Sequence, residues 1–283
     1  MNRLLQIFIY IFIYIFIASI SFADDVNYNR IVSLGPTLTE KIYLLEAEDK
    51  IIANTTFCKR PDASKFKEKV GNLSNINVEK IVSLKPDLVL VSPLTPLKQA
   101  EKLKSLNIKI EYFPYPKSFE DICSEFIRLG ILVGKKDQSE KIIKLVSGEV
   151  SALRKQTYKT SKVKMFMQIG IKPLFSVNKD SFINDFIEFA GGINIAKNSH
   201  SGIFSREQVV MSNPDVIVIT TMGIEGGKEK ERWEHYSSIT AVKNNNIYIL
   251  DSYDVCSPTP VTFVKTLKDF IKITQGLAIE EKS

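Results

Sequence analysis

The sequence predicts an α/β protein with two lobes and a ligand cleft between them, and two observations support this prediction. One stretch occurs twice: residues 79–92 read EKIVSLKPDLVLVS, and residues 207–220 read EQVVMSNPDVIVIT, 128 positions later. Each copy predicts a short helix that ends before Pro-Asp, because the residue before a proline is disfavoured in the α region. The apolar run that follows is typical of a strand buried on both faces. Between the copies, a helical pattern runs from Asp137 to about Tyr158.

The first lobe is expected over residues 29–117. The turn Gly35-Pro36 separates its first strand from its first helix. Thr37-x-x-Glu40 predicts a capping box at the start of that helix. The expected strands are Ile31–Leu34, Ile51–Asn54, Leu88–Val91 and Lys109–Phe113, with a helix near Leu97–Leu106.

A helical linker is expected over residues 118–160, and the second lobe over 161–283. Ser118-x-x-Asp121 opens the linker, and Gly134 separates its first helix from the long second one. About twenty helical residues span roughly 30 Å, which suits a strut between two lobes. The second lobe is expected to contain the strands Lys164–Ile169, Val216–Ile219 and Asn246–Leu250, and the helices Phe182–Phe189 and Thr262–Thr274.

The first 23 residues have the pattern of a secretory signal. Arg3 precedes the apolar run Leu4–Ile17, and Ser21-Phe22-Ala23 supplies small residues before Asp24. A membrane anchor is the alternative, but the run is short for a span, which takes about 20 residues. Cleavage is expected after Ala23, leaving a mature chain that is soluble outside the cytoplasm.

Charge and motif content argue against a nucleic-acid binder and leave a direct transition-metal binder or an exported enzyme as the less favoured alternatives. The formal net charge is +6, but the basic residues are dispersed and not interleaved with aromatic residues, which excludes a nucleic-acid groove. A direct zinc or manganese binder needs several His and carboxylate ligands, and His200 and His235 are the only histidines. Catalytic motifs such as Gly-x-Ser-x-Gly, His-Glu-x-x-His and Gly-x-x-x-x-Gly-Lys are absent, so an enzyme is not expected.

Several segments, in order, carry a resemblance to one family. They are Arg30–Leu34, Glu79–Val82, Leu84–Val89, Phe166–Gly170, Gly191–Ile195, Ser205–Val209 and Ser257-Pro258. With these segments the chain resembles the periplasmic substrate-binding proteins of ABC importers for metal chelates, namely ferric siderophores, haem or vitamin B12. The resemblance covers roughly residues 29–275.

The resemblance implies a fold and a set of partners. The fold is two α/β lobes joined by one long, rigid backbone helix, with limited hinge motion. Glu79 and Glu207 stand where similar proteins carry the glutamates that dock on the arginines of a dimeric ABC permease in the inner membrane. The alternative is that each glutamate only favours a helix N-terminus. A monomer in the periplasm is expected, with a bound chelate and no cofactor.

The cleft is expected to be lined by loops of both lobes. The candidate ligand-binding residues are Phe57, Cys58, Arg60, Ser92 and Tyr115 of the first lobe, and Phe175, His200, Tyr253 and Cys256 of the second. By the resemblance, Phe57 and Phe175 match aromatic positions that contact the corrin ring in vitamin B12-binding members. Ser92 stands where those members carry a tryptophan. Arg60 suits an anionic chelate.

The alternatives for the cysteines, the tryptophan and the ligand stay open at this stage. Three roles are open for Cys58 and Cys256. They could be incidental small residues of their loops, they could contact the metal of a bound chelate, or they could form a disulfide with each other. Cys123 is expected to be buried on a helix face. Trp233 is a contact at the cleft edge or part of the core. The chelate is a corrinoid or a ferric siderophore, with haem or a small nickel or cobalt chelate as the alternative.

Overall fold

A parallel β-sheet forms the centre of each of the two lobes, as the sequence predicts. The computed structural model describes residues 27–158, 162–221 and 224–276. The predicted signal segment, residues 1–23, lies outside the described residues. Among the helices that are described, none is long and apolar enough to span a membrane.

The first lobe is a five-stranded sheet whose strands are all parallel, in the order β3-β2-β1-β4-β5. Neighbouring residues of one strand face opposite sides of the sheet, since side chains alternate along a strand. Ile31 packs into a core with helix α1, and Val32 into a core with α2 and α3. The elements are β1 (Ile31–Ser33), α1 (Pro36–Leu44), β2 (Ile51–Asn54), β3 (Glu68–Lys69), α2 (Val78–Ser83), β4 (Leu88–Val91), α3 (Leu97–Ser105) and β5 (Ile110–Tyr112).

Two helices connect the lobes: α4 (Phe119–Leu132) and α5 (Lys136–Thr157). The 22 residues of α5 span about 33 Å. Helix α4 belongs to both lobes, because Phe119 packs in the core of the second lobe and Phe126 in that of the first. Two buried aromatic side chains therefore anchor one helix in both cores.

The second lobe combines a parallel sheet with a small antiparallel one. The parallel order is β12-β11-β6-β9, and the antiparallel order is β10-β8-β7. The strands are β6 (Lys164–Gln168), β7 (Gly170–Ile171), β8 (Leu174–Phe175), β9 (Ile193–Asn194), β10 (Ile203–Phe204), β11 (Val216–Thr220) and β12 (Ile247–Leu250). The helices are α6 (Phe182–Phe189), α7 (Arg206–Ser212), α8 (Gly226–Glu234), α9 (Thr240–Lys243), α10 (Ser252–Cys256) and α11 (Pro260–Thr274).

The repeated stretch forms the same structure in both lobes. In each copy the helix ends before the proline, and the next strand, β4 or β11, is buried along its length. The aspartate after each proline joins neighbouring strands: Asp87 accepts from the backbone N–H of Arg30 at 3.0 Å, and Asp215 from that of Lys164 at 2.8 Å. The Pro-Asp pair therefore ends a helix and also anchors the start of the adjacent central strand.

Candidate ligand-binding cleft

The carboxyl ends of the strands in the first sheet face the second lobe, and a small cavity lies there. The chain moves outward from β1 to β2 on one side and from β4 to β5 on the other, so the sheet has a switch point between β1 and β4. In open α/β sheets, ligands bind at such points. Gly35 follows β1 and Ser92 follows β4, and both line a cavity of about 100 Å³. Tyr115 and, from the second lobe, Cys256 line it too.

Beside this cavity, Arg60 bridges the two lobes. Its Nη1 donates to Asp254 Oδ1 at 2.6 Å, and its guanidinium carbon lies 3.8 Å from the centre of the Tyr253 ring. Tyr253 Oη donates to the backbone oxygen of Phe57 at 3.4 Å. Arg60 and Phe57 belong to the loop after β2, and the other two residues to α10. These contacts join the two walls of the cleft.

Glu40 is a residue of this bridge that the sequence assigns to a different role. The expected capping box is wrong: α1 begins at Pro36, and no side chain caps it. The Glu40 carboxylate instead lies 3.5 Å from Arg60 Nε. Burial raises the pKa of Glu40, and the nearby Asp254 adds to this rise, while Arg60 opposes it. Nothing in the sequence around a glutamate one turn into a helix distinguishes a capping residue from a partner of a distant arginine such as Arg60.

Three of the predicted aromatic residues present an exposed face. The exposed fractions are 48% for Phe57, 59% for Tyr115 and 36% for Phe175. Phe175 lies on β8, which pairs with β10. Gly202 has a φ of +70°, and a Cβ there would lie 2.9 Å from Phe175 Cζ, so a glycine is needed beside this ring. Tyr115 lines the small cavity and the Phe57 backbone accepts from Tyr253 beside it, whereas Phe175 is not part of the cavity lining. Exposed aromatic side chains are typical of surfaces that bind a ligand.

Cys58 does not lie open to the cleft, and the expectation that it does is wrong. Its side chain is buried, because Thr39 Oγ1 donates to its Sγ at 3.2 Å and Thr55 Oγ1 lies 3.3 Å away. Cys256 is half-buried, and burial, followed by the Asp251 charge, raises the pKa of its thiol to about 12 despite a hydrogen bond with Thr220. Cys256 therefore faces the cavity as a neutral thiol.

All three cysteines are free, so the structure contains no Cys58–Cys256 disulfide. Cys123 is buried as expected, and burial raises the pKa of its thiol to about 11. Within the described ranges, no group of three or more His, Cys, Asp and Glu side chains is placed to hold a metal ion.

Trp233 belongs to the core of the second lobe. It is fully buried, and its Nε1 donates to Gln168 Oε1 at 2.6 Å. The same amide donates from Nε2 to Glu229, which Arg206 and Arg232 also contact. Of the two alternatives for Trp233, the structure therefore favours packing.

His200 and the two candidate docking glutamates are exposed. His200 lies in the loop before β10, outside the cavity and the Arg60 bridge. Glu79 and Glu207 stand in the first turns of α2 and α7, the helices of the repeat. Neither makes an ion pair with a described residue. The adjacent cations are already paired, Lys80 with Glu68 and Arg206 with Glu229.

A larger cavity, of about 930 Å³, lies at a different place. It is bordered by α4, α5 and the start of β9, and Arg154, Lys162 and Gly192 line it. This is the amino end of the second sheet, whereas ligands of open α/β sheets bind at the carboxyl ends. The position in the sheet therefore favours the smaller cavity and the Arg60 bridge as the site.

Two parallel-sheet lobes, a helical connection anchored in both cores and a cleft at the strand ends define the class of two-lobed binding proteins. The match to a family model agrees: residues 31–253 fit the model described as periplasmic binding protein, and the chain belongs to that family.

Individual relatives support the same assignment. The vitamin B12-binding protein of Vibrio parahaemolyticus is 29% identical over 249 residues, which cover 87% of this chain and 88% of that protein. The crystal structure of the vitamin B12-binding protein of Vibrio cholerae aligns with a TM-score of 0.75 at 25% identity, covering 88% and 97% of the two chains. The haem-binding protein of Vibrio cholerae shares the fold, with a TM-score of 0.75 at 17% identity, covering 86% of this chain and 98% of that one.

Proposed function

We propose that this chain is the substrate-binding component of an ABC importer and that it carries a corrinoid in the cleft between its lobes. The observation behind the proposal is the similarity to vitamin B12-binding proteins, which extends along 87% of the chain. The chain makes and breaks no bond in this role; it captures the corrinoid and releases it to a permease.

The geometry of the cleft supports a large, flat ligand. Exposed aromatic faces from both lobes, Phe57, Tyr115 and Phe175, supply area at a small cost in side-chain entropy. The cavity of about 100 Å³ is smaller than the roughly 300–1,000 Å³ typical of sites for drug-sized ligands. A corrinoid therefore enters only after the lobes separate and the Arg60–Asp254 contact opens.

The charges of the bridge favour a corrinoid over a strongly anionic chelate. Arg60 is the cation expected to attract carboxylates, yet Asp254 and Glu40 both lie within ion-pair distance of it. The charges of these two carboxylates offset that of Arg60, which weakens its attraction for haem propionates or an anionic siderophore, although its Nη2 has no hydrogen-bond partner among the described residues. Haem and small nickel or cobalt chelates remain the alternative ligands.

Delivery to the permease is proposed through Glu79 and Glu207. Both are exposed, both open a helix of the repeat, and neither has a cation partner among the described residues. Two carboxylates, one on each lobe, suit a partner with two-fold symmetry and give orientation more than affinity. Residues 1–23 are proposed as a cleaved signal that places the mature chain in the periplasm.

A ligand screen tests this proposal. Thermal unfolding of the mature chain, from Asp24, is measured with cobalamin, cobinamide, haem and a set of ferric siderophores. A ligand that binds only the folded state raises the melting temperature. A rise with the corrinoids alone supports the proposal, a rise with haem alone selects the alternative, and no rise with any of them contradicts both.

A further inference from the structure

The amino end of α1 opens into the small cavity. The nine-residue helix begins at Pro36 after Gly35, and no side chain caps it, although its first N–H groups have no partner inside the helix. A Cβ on Gly35 would lie 3.1 Å from Leu38 Cδ1 and 3.4 Å from Ser92 Cβ, so a glycine brings this end close to β4. A helix N-terminus carries partial positive charge and favours an anion.

A lysine on the same helix supplies the second, independent observation. Lys41 lines the cavity, yet only 6% of the residue is exposed. Among the described residues its ammonium group forms no ion pair, and Glu125 is the first of the acidic groups whose charge favours its protonated form. A mostly buried lysine without a direct partner, facing a cavity, favours an anion in that cavity.

The other polar groups of the cavity compensate this positive charge only in part, through the charges of Glu125 and, more weakly, Glu40. Ser92 Oγ is buried and has no hydrogen-bond partner. Glu125 also lines the cavity, but its Oε2 already accepts from Arg128 Nε at 3.1 Å and Nη2 at 2.7 Å. Cys256 contributes a neutral thiol.

We propose that this cavity binds one oxyanion group of phosphate or carboxylate type, held by the Lys41 ammonium, the Ser92 hydroxyl and the first N–H groups of α1. The cavity of about 100 Å³ has room for a single such group, because it is several times larger than the roughly 30 Å³ that one water molecule occupies in the liquid. The group has two sources: a free oxyanion, or an anionic substituent of the chelate. The second source rests on the proposed function, whereas the first does not.

Two probes separate these sources. Inorganic phosphate alone tests the free oxyanion. Cobalamin and cobinamide test the substituent, because cobalamin carries a phosphodiester in its nucleotide loop and cobinamide lacks that loop. The test variant is Lys41→Met, which removes the charge but keeps an apolar stem at a buried position. Ser92→Ala is the second variant, and Lys104→Met, an exposed lysine of the same lobe, is the control.

The outcomes are distinct. If phosphate raises the melting temperature of the wild type and of Lys104→Met but not of Lys41→Met, the cavity binds a free oxyanion. If Lys41→Met weakens cobalamin about tenfold or more and leaves cobinamide unchanged, it binds the chelate's phosphodiester.

Equal weakening of both corrinoids, or no effect of Lys41→Met on any probe, overturns the oxyanion site. Binding of phosphate without any corrinoid would refute the proposed ligand and keep the oxyanion site. A wild type that binds none of the three probes overturns both.

The pH dependence gives one more readout. Burial, with a smaller contribution from Arg128, lowers the pKa of Lys41 to about 8, against the opposing effects of Glu125, Cys123 and Glu40. These are the titratable and charged groups that face the ammonium group, from α4 and from α1 itself. Lys41 is thus protonated at pH 7 and largely neutral at pH 9, so the Lys41-dependent part of binding should fall between these values. If the difference in affinity between the wild type and Lys41→Met is the same at pH 7 and pH 9, the role of the ammonium group is contradicted.

Discussion

The Arg60–Asp254 contact is expected to hold the two lobes together when no ligand is bound. Asp254→Asn removes the charge of the carboxylate and keeps its shape, and it leaves the Tyr253 ring beneath Arg60. We expect the lobes of this variant to separate more often than those of the wild type. Arg60→Gln, which also frees Glu40, should act in the same direction.

The size of the effect follows from the geometry of the pair. A hydrogen bond to a charged group contributes about 1.5–3 kcal/mol when buried, and an exposed ion pair about 0–1 kcal/mol. The exposed fractions of the two side chains are 31% for Arg60 and 17% for Asp254, so the pair is partly buried and its energy should lie between these two ranges. An estimate of about 1–2 kcal/mol corresponds to a shift of roughly 5- to 30-fold in the equilibrium between closed and open lobes.

The distance between spin labels measures this shift. Leu97 on α3 and Met211 on α7 are exposed positions, one on each lobe, that take labels in a Cys256→Ser background. Asp254→Asn should lengthen and broaden the distance distribution, and salt should move the wild type in the same direction because it screens the pair. Glu188→Gln, which removes an ion pair inside the second lobe, is the control. Equal distributions for the wild type and Asp254→Asn would refute the bridging role.

Three further variants test the site, the docking surface and the core. Phe175→Ala should weaken corrinoid binding by roughly 1–3 kcal/mol if the ring stacks on the ligand, and an unchanged affinity in a titration would remove it from the site. Glu79→Lys combined with Glu207→Lys should abolish uptake in vesicles containing the cognate permease while affinity stays within about threefold; normal uptake would contradict docking. Trp233→Phe should lower the free energy of unfolding by about 1–3 kcal/mol, because it leaves Gln168 Oε1 buried without a donor. A denaturation curve that matches the wild type would contradict that assignment.

The repeat and the long helix made the fold predictable because both are local patterns with a physical cause. A proline ends each helix of the repeat, and a continuous apolar run marks the buried strand that follows. The role of the aspartate after each proline needs the folded structure, since Asp87 bonds to Arg30 across 57 positions.

The site was less predictable because its contacts join distant parts of the chain. Arg60 and Asp254 are 194 positions apart, and nothing near either residue indicates the other. Cys58 is in a polar loop, as expected, but two threonine hydroxyls turn its thiol inward. Lys41 has the sequence context of an ordinary surface lysine, and only the packing of α1 against α4 buries it.

Hydrogen–deuterium exchange of the mature chain, with and without cobalamin, tests most directly that the ligand lies between the lobes at the strand ends. We predict that cobalamin slows exchange in the loops after β2, β4 and β5 and in α10, on both walls of the cleft. Slower exchange confined to α4, α5 and the start of β9, around the larger cavity, would contradict the location. No change anywhere at saturating cobalamin would contradict the proposed ligand.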